Sequence, residues 1–207
     1  MTLLDHLVVA VPDLAAAVDG FEAATGVRPE FGGAHEGLGT HNALVSFGDA
    51  YLEIIAADPD QPTPAGPRPF GIDDLTTTEL VTFAVHPEPG DSIDDVVSAA
   101  RAAGHDPGDV IEMHRIRPDG ERLDWRLTLP DPELGGFVPF LIDWGDTVSP
   151  ALTTPSGVDL VGFGLRLAVT EVVTDRLAAL AFELPAEPPS PEGLWATVRG
   201  PGGQLRF

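Results

Sequence analysis

Lysine and cysteine are both absent from this 207-residue sequence. The eleven basic residues are all arginines and stand against 33 aspartates and glutamates, which gives a formal net charge of −22. This imbalance argues against a surface that binds nucleic acid or an anionic membrane, because such a surface needs basic side chains to offset phosphate charge. Without cysteine, the chain has no disulfide, no thiolate nucleophile and no thiolate metal site.

Long apolar runs are missing as well, since none approaches the ~20 residues of a membrane-spanning helix. Asp5 and Asp13 bracket the first apolar stretch, which lacks the basic leader of a signal peptide, so we expect a cytoplasmic protein. With 43% apolar residues the chain can still form a core. The acidity has two explanations that the sequence leaves open: adaptation of the surface to high salt, or a GC-rich genome that replaces lysine by arginine.

A strand, a helix and further strands follow one another within residues 1–57. Asp13 can cap the helix, and Gly26 supplies the left-handed residue that ends it. A Gly48-Asp49 pair between the last two strands is a hairpin signal. The elements are expected at residues 3–11, 14–24, 42–47 and 51–56. This pattern predicts a βαβββ unit.

The same pattern restarts after residues 58–78, whose five prolines between positions 58 and 69 indicate a stiff linker. Ser92 can cap the second helix, with Asp95 three residues on as in a capping box. The elements are expected at residues 80–85, 92–103, 111–117, 122–129 and 138–144. Pro118-Asp119-Gly120 is a turn signal between two of these strands. Residues 79–147 therefore predict a second βαβββ unit, and residues 148–207 a partial third unit packed on the same domain. In the third unit we expect a strand at residues 160–169, a helix at 172–180 and a closing hairpin formed by 195–198 and 204–207.

The repeated βαβββ unit resembles the vicinal oxygen chelate superfamily of glyoxalases, bleomycin resistance proteins and dioxygenases, and in particular its glyoxalase-like domain family. Residues 4–13 are similar to that family's first strand and helix cap, and residues 51–55 to the strand that supplies its carboxylate. Further similar patterns are Gly32-Gly33-Ala34-His35, Gly39-Thr40-His41-Asn42-Ala43-Leu44, Phe70-Gly71-Ile72-Asp73, Arg117-Pro118-Asp119-Gly120, Trp125-Arg126 and Pro139-Phe140-Leu141-Ile142-Asp143-Trp144-Gly145. The resemblance implies an α+β fold in which tandem units form a cupped half-barrel of mixed sheet around a small-molecule site.

Members of the superfamily hold a divalent metal with a histidine and a glutamate from each unit. The resemblance therefore implies His6 and Glu53 as ligands of Zn, Mn, Ni or Fe, or as the acid and base of catalysis. The second unit has no matching ligands unless Asp143 supplies one, and His35 or His41 on the glycine-rich loop is a possible third ligand. In the alternative, His6 and Glu53 hydrogen-bond to each other or to a neighbour in a polar cavity.

Strand alternation places His6 and Glu53 on faces that can line the cup. Asn42 is expected either beside Glu53 or on the outer side. If the apolar face of residues 122–129 packs on the second helix, Arg126 turns toward the cup, where it could bind a substrate carboxylate. Its alternative is an ion pair on a solvated face. The predicted substrate-binding residues are Asn42, Arg126, Trp144 and His41.

Three functions remain open. The first is a lyase, isomerase or dioxygenase type of enzyme acting on a small molecule in a cup centred on His6 and Glu53. The second is a metal-free binding protein of the same fold that sequesters a small molecule, as resistance proteins do. The third is an interaction protein whose own side chains fill the cup. No phosphate loop or Gly-x-Ser-x-Gly elbow is present, so we expect no nucleotide cofactor, and we expect a monomer or a homodimer.

Overall fold

The computed structural model describes residues 1–116, 120, 122–129, 134, 136–167, 171–187 and 192–207. Outside the described residues lie most of the predicted turn at residues 118–120 and the last two residues, 168 and 169, of the strand predicted at 160–169. Within the described residues, no helix is long and apolar enough to cross a membrane.

Twelve strands and four α-helices make up the described part of the chain. In chain order they are β1 (Thr2–Ala10), α1 (Leu14–Thr25), β2 (Glu30–His35), β3 (Thr40–Ser46), β4 (Tyr51–Ala57), β5 (Glu79–Pro87), α2 (Ile93–Ala102), β6 (Val110–Ile116), β7 (Arg122–Thr128), β8 (Phe140–Asp143), α3 (Pro150–Thr153), β9 (Asp159–Arg166), α4 (Glu171–Ala179), β10 (Ala186–Glu187), β11 (Gly193–Gly200) and β12 (Gly203–Arg206). A short 3₁₀ segment, Pro69–Asp74, lies between β4 and β5.

The main sheet has eight strands in the order β2-β3-β4-β1-β5-β8-β7-β6. In the first unit β1 pairs with β4 in parallel, and in the second unit β5 pairs with β8 in parallel. The two units join where β1 and β5 pair antiparallel at the centre of the sheet. The sheet curves until its edge strands, β2 and β6, come into contact, so that it nearly closes. The predicted α+β fold with tandem βαβββ units around a cup is therefore confirmed.

Both crossover helices begin and end as local sequence chemistry requires. Asp13 accepts a hydrogen bond from the Ala16 amide at 3.0 Å, and Gly26 adopts a left-handed φ of 78° after the last turn of α1. At α2, the Ser92 and Asp95 side chains form a reciprocal capping box. Local capping groups therefore fix where both helices begin.

Alternation along the strands divides the core into two layers. Odd positions of β1, such as Leu7 and Val9, point to the outer face, where they pack with α1, α2 and the C-terminal strands. Even positions, such as Val8 and Ala10, point to the inner face and line the cup. The inner layer is smaller and leaves space, which forms the cavity described below.

The C-terminal strands form a separate four-stranded sheet in the order β10-β9-β11-β12. The predicted closing hairpin is present as the antiparallel pair of β11 and β12. This small sheet packs on α1 and β5, and Leu165 and Val198 belong to the same apolar cluster as Phe21 and Phe83 of the first two units. It therefore covers part of the outer face of the main sheet.

Candidate functional site

A cavity of about 300 Å³ lies inside the cup. Its two walls differ in chemistry. The wall from the first unit carries the polar side chains His6, His35, Thr40, Asn42, Tyr51 and Glu53. The wall from the second unit is made mainly of Ile111, Met113, Trp125, Leu127, Phe140, Ile142 and Trp144.

An irregularity in β1 brings two consecutive residues, Asp5 and His6, into one cluster. The register with β5 shifts between Leu4 and His6, so that Asp5 is an extra residue in the strand, as in a β-bulge. Strict alternation would place Asp5 on the face opposite to His6. Instead, His6 Nδ1 lies 2.6 Å from Asp5 Oδ1, and both side chains are buried. The bulge therefore supplies His6 with an anionic partner that fixes its ring.

Asp5 is itself held by aromatic residues. The indole Nε1 of Trp144 donates to Asp5 Oδ2 at 3.0 Å. The ring of Tyr51 stacks on the His6 ring with 4.6 Å between centroids. Burial raises the pKa of Tyr51 well above its ordinary value, and the charges of Asp5 and Glu53 raise it further, so the phenol stays protonated. Together these contacts fix both the plane and the hydrogen-bonding atom of the imidazole.

Glu53 faces His6 across a short gap inside the cavity. Glu53 Oε2 lies 3.8 Å from His6 Nε2, which is too long for a hydrogen bond. Its other oxygen, Oε1, accepts from the Asn42 amide nitrogen at 2.5 Å. Asn42 thus points inward beside Glu53, one of the two orientations left open by the sequence. Glu53 Oε2 and His6 Nε2 therefore face each other across this gap.

His35 completes the polar wall in a defined protonation state. Its Nδ1 lies 3.0 Å from the Thr40 hydroxyl, and its Nε2 lies 3.3 Å from the Asn42 amide nitrogen. Because the Asn42 amide can only donate, Nε2 is assigned as the acceptor and Nδ1 as the protonated nitrogen. Burial lowers the pKa of His35, and the nearby Arg115 charge lowers it further. His35 is therefore a neutral part of the hydrogen-bond network.

Two of the predicted substrate-binding residues lie away from the cavity. His41 follows the opposite face of β3 from Asn42, and its Nδ1 lies 3.8 Å from Asp58 on the outer side. Arg126 forms an ion pair with Asp94 of α2, with nitrogen–oxygen distances of 2.8 and 2.9 Å. The expectation that these two side chains reach the cup is corrected: the structure brings together His6, Glu53, Asn42, His35 and Trp144 without them.

The physical reason for the Arg126 correction lies in β7. The apolar side chains of this strand, Trp125 and Leu127, were expected to pack on the second helix, but they line the cavity instead. The second wall of the cup is itself apolar, so the apolar face of β7 belongs inside. Arg126 then faces outward, where Asp94 at the start of α2 neutralises it.

The structure adds Asp5, Tyr51 and Arg115 to the residues found by sequence reasoning. Asp5 directly precedes His6, but its role depends on the bulge, which the sequence pattern does not reveal. Arg115 shares the cavity-facing side of β6 with Ile111 and Met113, and this alternation was the available signal for it.

The residues around His6 do not fit the divalent metal that the resemblance implies. Glu53 Oε1 and His35 Nε2 are both bonded to the Asn42 amide, which is a donor and cannot bind a cation. The facing positions of the second unit, Phe140 and Ile142, are apolar. Among the side chains that the structure describes, no group of three or more His, Asp or Glu residues is arranged to hold a metal. Of the four ligands implied by the resemblance, two from each unit, the two positions of the second unit carry no donor atom.

The mouth of the cavity is marked by its exposed lining residues, Leu38 and Leu129. Phe70 lines the cavity from the 3₁₀ segment with a left-handed backbone, φ 62° and ψ 19°. Such a conformation costs of order 1 kcal/mol for a residue with a side chain. Arg68 holds the segment, since its Nε donates to the Gly39 carbonyl at 2.7 Å. The strained turn places an aromatic ring against the cavity.

Comparison with known proteins agrees with this architecture. The family described as glyoxalase-like domain matches residues 4–185. A solved hypothetical protein from Staphylococcus aureus is similar over 100% of this chain and 85% of its own, at 15% identity and a TM-score of 0.66.

Two methylmalonyl-CoA epimerase structures match at lower TM-scores. One from Mycobacterium tuberculosis covers 67% of this chain and 84% of its own at 17% identity, with a TM-score of 0.42. Another, in complex with methylmalonyl-CoA and ammonium, covers 72% of this chain and 99% of its own at 22% identity, with a TM-score of 0.47. No curated protein matches the sequence. The family match spans both units and most of the C-terminal region, and the chain therefore belongs to the glyoxalase-like domain family.

Proposed function

We propose that this protein is an enzyme of the isomerase or lyase kind that moves a proton within a small carbonyl compound. The observation that carries the proposal is the arrangement of Asp5, His6 and Glu53, called here the acid–base array. His6 is held by Asp5 at 2.6 Å and faces Glu53 at 3.8 Å, inside a cavity large enough for a ligand. General acid–base catalysis needs two such groups on either side of the reacting atoms.

The array supports a balanced proton transfer. Glu53 Oε2 removes the proton α to a carbonyl, the C–H electron pair forms a C=C bond, and the carbonyl π pair moves onto the oxygen to give an enolate. His6 acts as the general acid and gives a proton from Nε2 to that enolate oxygen. In an α-hydroxycarbonyl substrate this enol is an enediol. Glu53 then gives its proton to the former carbonyl carbon while the hydroxyl on the α carbon gives its proton to His6, so that the carbonyl forms at the α carbon and both groups are restored. Asn42 keeps Glu53 Oε1 occupied, so that Oε2 is the oxygen that acts.

The two walls suggest the class of substrate. A volume of about 300 Å³ lies at the small end of ligand sites and suits a compact molecule. Rings and alkyl groups of the second wall, among them Trp125, Phe140 and Ile142, would pack against an apolar or aromatic body. The carbonyl end would then lie at the first wall, beside His6 and Glu53.

An experiment that does not require the natural substrate to be known tests the proposal. The wild-type protein is incubated in D₂O with a panel of ketones, aldehydes and hydroxyketones that carry phenyl or short alkyl groups, and deuterium incorporation at the α carbon is followed by NMR. We expect exchange of at least one panel member, and a reduction of about 10²- to 10⁴-fold in Glu53→Gln. Glu79→Gln, at the exposed start of β5, is the matched control and is expected to exchange at the wild-type rate.

Two outcomes would count against the proposal. One is equal exchange by Glu53→Gln and wild type. The other is exchange that disappears with a chelator and returns with Zn, Mn, Ni or Fe, because the proposed steps use only the side chains of this chain. The purified protein is accordingly expected to retain its exchange activity in EDTA.

The apolar second wall favours one further function, a metal-free protein that binds and sequesters a small molecule. Trp125 and Trp144 lie with ring centroids 5.4 Å apart on this wall, and such a pair offers a stacking surface that needs no chemistry. In that case panel compounds would raise the melting temperature equally for wild type and Glu53→Gln, with no deuterium exchange in either.

A further inference from the structure

Arg115 is the one arginine among the described residues that line the cavity. It is 5% exposed, although arginine is seldom buried to this extent. It also comes from the second unit, whose wall is otherwise apolar. A buried cation on that wall calls for a chemical explanation.

The sequence of β2 makes room for the Arg115 guanidinium. A Cβ placed on Gly32 would come within 3.0 Å of Arg115 Nη1, and a Cβ on Gly33 within 3.3 Å. Both glycines lie on β2, the edge strand that meets β6 where the sheet nearly closes. Because these two residues of β2 have no side chains, the Arg115 guanidinium can lie against the β2 backbone, where the edge strands of the two units meet.

The charge of Arg115 acts on the polar wall. It contributes to the lowered pKa of His35, and it opposes the rise in the pKa of Tyr51. Both residues line the cavity beside Glu53. In a site with little water, a fixed positive charge stabilises a developing negative charge more strongly than it would in solvent.

We propose that Arg115 is a catalytic residue that stabilises the enolate oxygen formed when Glu53 removes a proton. This inference rests on the proposed function, and it explains how the site can stabilise the anion without a metal. Proton transfer to Glu53 removes one negative charge from the wall and creates another on the substrate oxygen. Arg115 offers that oxygen a charge-assisted hydrogen bond from the opposite unit.

The test separates anion binding from turnover. Glu53→Gln imitates the protonated carboxyl, phenylacetate imitates the anion, and phenylacetamide is its neutral counterpart of the same shape. Binding is followed by the fluorescence of Trp125 and Trp144 in a Trp195→Phe background, because Trp195 lies in the C-terminal sheet. We expect Glu53→Gln to bind phenylacetate at least about tenfold more tightly than phenylacetamide.

Adding Arg115→Met is expected to abolish this preference while leaving the Kd for phenylacetamide within about twofold. A preference that survives Arg115→Met, or that is absent already in Glu53→Gln, overturns the role of Arg115. If Arg115→Met also loses phenylacetamide binding, Arg115→Lys decides. This variant keeps the charge and should retain part of the preference, and its binding of both probes with equal affinity would overturn the proposal.

The proposed function is judged separately from this test. Failure of the deuterium exchange experiment, with the preference for phenylacetate intact, would remove the enzyme and leave an anion-binding cavity. Successful exchange without the preference would leave the enzyme and remove Arg115 from its mechanism.

Discussion

The two units of the cup follow the same order of strands, yet they supply walls of different chemistry. The first unit places His6, Asn42 and Glu53 on the inner face, whereas facing positions of the second carry Phe140 and Ile142. The strand pairings are repeated, since β1 with β4 and β5 with β8 are both parallel. The repeated fold thus determines where side chains point but not which chemistry they bring.

The difference between the walls has an energetic basis. The polar groups of the first wall are buried as a network in which Asn42 links Glu53 to His35, and Asp5 links His6 to Trp144. A buried neutral polar group without such partners lowers the stability of the fold by about 1–3 kcal/mol, and a charged group lowers it by more. The second wall offers few partners, so we expect it to tolerate charge poorly.

The largest effect is expected from placing an acid on the apolar wall. Ile142→Glu buries a carboxylate without a built partner and should lower the free energy of unfolding by roughly 3 kcal/mol or more at pH 7. Ile116→Glu, at a position of β6 that is 46% exposed, is the control and should change it by less than about 0.5 kcal/mol. Urea unfolding measures both. Equal losses of stability in the two variants would show that the apolar wall tolerates a carboxylate as well as an exposed position does.

A methyl group on β2 should disturb the polar wall more subtly. In Gly32→Ala the new Cβ would overlap Asn42 Oδ1 and come within 3.0 Å of Arg115 Nη1. We expect a loss of about 1–3 kcal/mol in stability from this overpacking, and about a tenfold slower deuterium exchange as the amide leaves Glu53. Gly66→Ala, where a Cβ would meet nothing within 4 Å, is the matched control. Exchange at the wild-type rate in Gly32→Ala would remove Asn42 from the mechanism.

The lowered pKa of His35 gives the first wall a dependence on pH. Folding disfavours the protonated ring, so between the ordinary value of about 6.5 and the lower folded value only the unfolded state takes up this proton. The stability contributed by neutral His35 is therefore complete above pH 6.5 and declines as the pH falls. In His35→Gln the free energy of unfolding should decline less steeply between pH 7 and pH 5 than in His41→Gln. Parallel pH curves for the two variants would contradict the assignment.

The smallest effect is expected outside the cup. Arg126 and Asp94 form an ion pair in which the side chains are 38% and 62% exposed, and such a pair contributes little to stability because solvent screens it. Arg126→Ala should leave both deuterium exchange and probe binding unchanged. A loss of phenylacetate binding in Arg126→Ala would restore the role that the sequence pattern first gave it.

Much of the fold could be predicted because it depends on local patterns. Alternating apolar residues, helix caps at Asp13 and Ser92, and the hairpin glycines all act within a few residues of themselves. The same alternation brought His6 and Glu53 to one face. These two are within 3.8 Å in the structure because β1 and β4 are neighbours in the sheet.

The remaining features of the site depend on contacts that no local pattern contains. The bulge at Asp5 reverses one side chain against the alternation of β1. The apolar side of β7 faces the cavity instead of a helix because the cavity wall is itself apolar, which only the closed sheet reveals. Arg115 lies in the site because β6, which carries it, contacts β2, a strand that is far from β6 in sequence.

The central claim, that Asp5, His6 and Glu53 act as one acid–base array on the first wall, is tested most directly by the additivity of their substitutions. Deuterium exchange is measured for Asp5→Asn, Glu53→Gln and the double variant. Residues that act as a unit show strongly non-additive losses. We predict that the double variant exchanges no more than about threefold more slowly than Glu53→Gln alone. Losses that multiply in the double variant would contradict the account, because Asp5 would then act independently of Glu53.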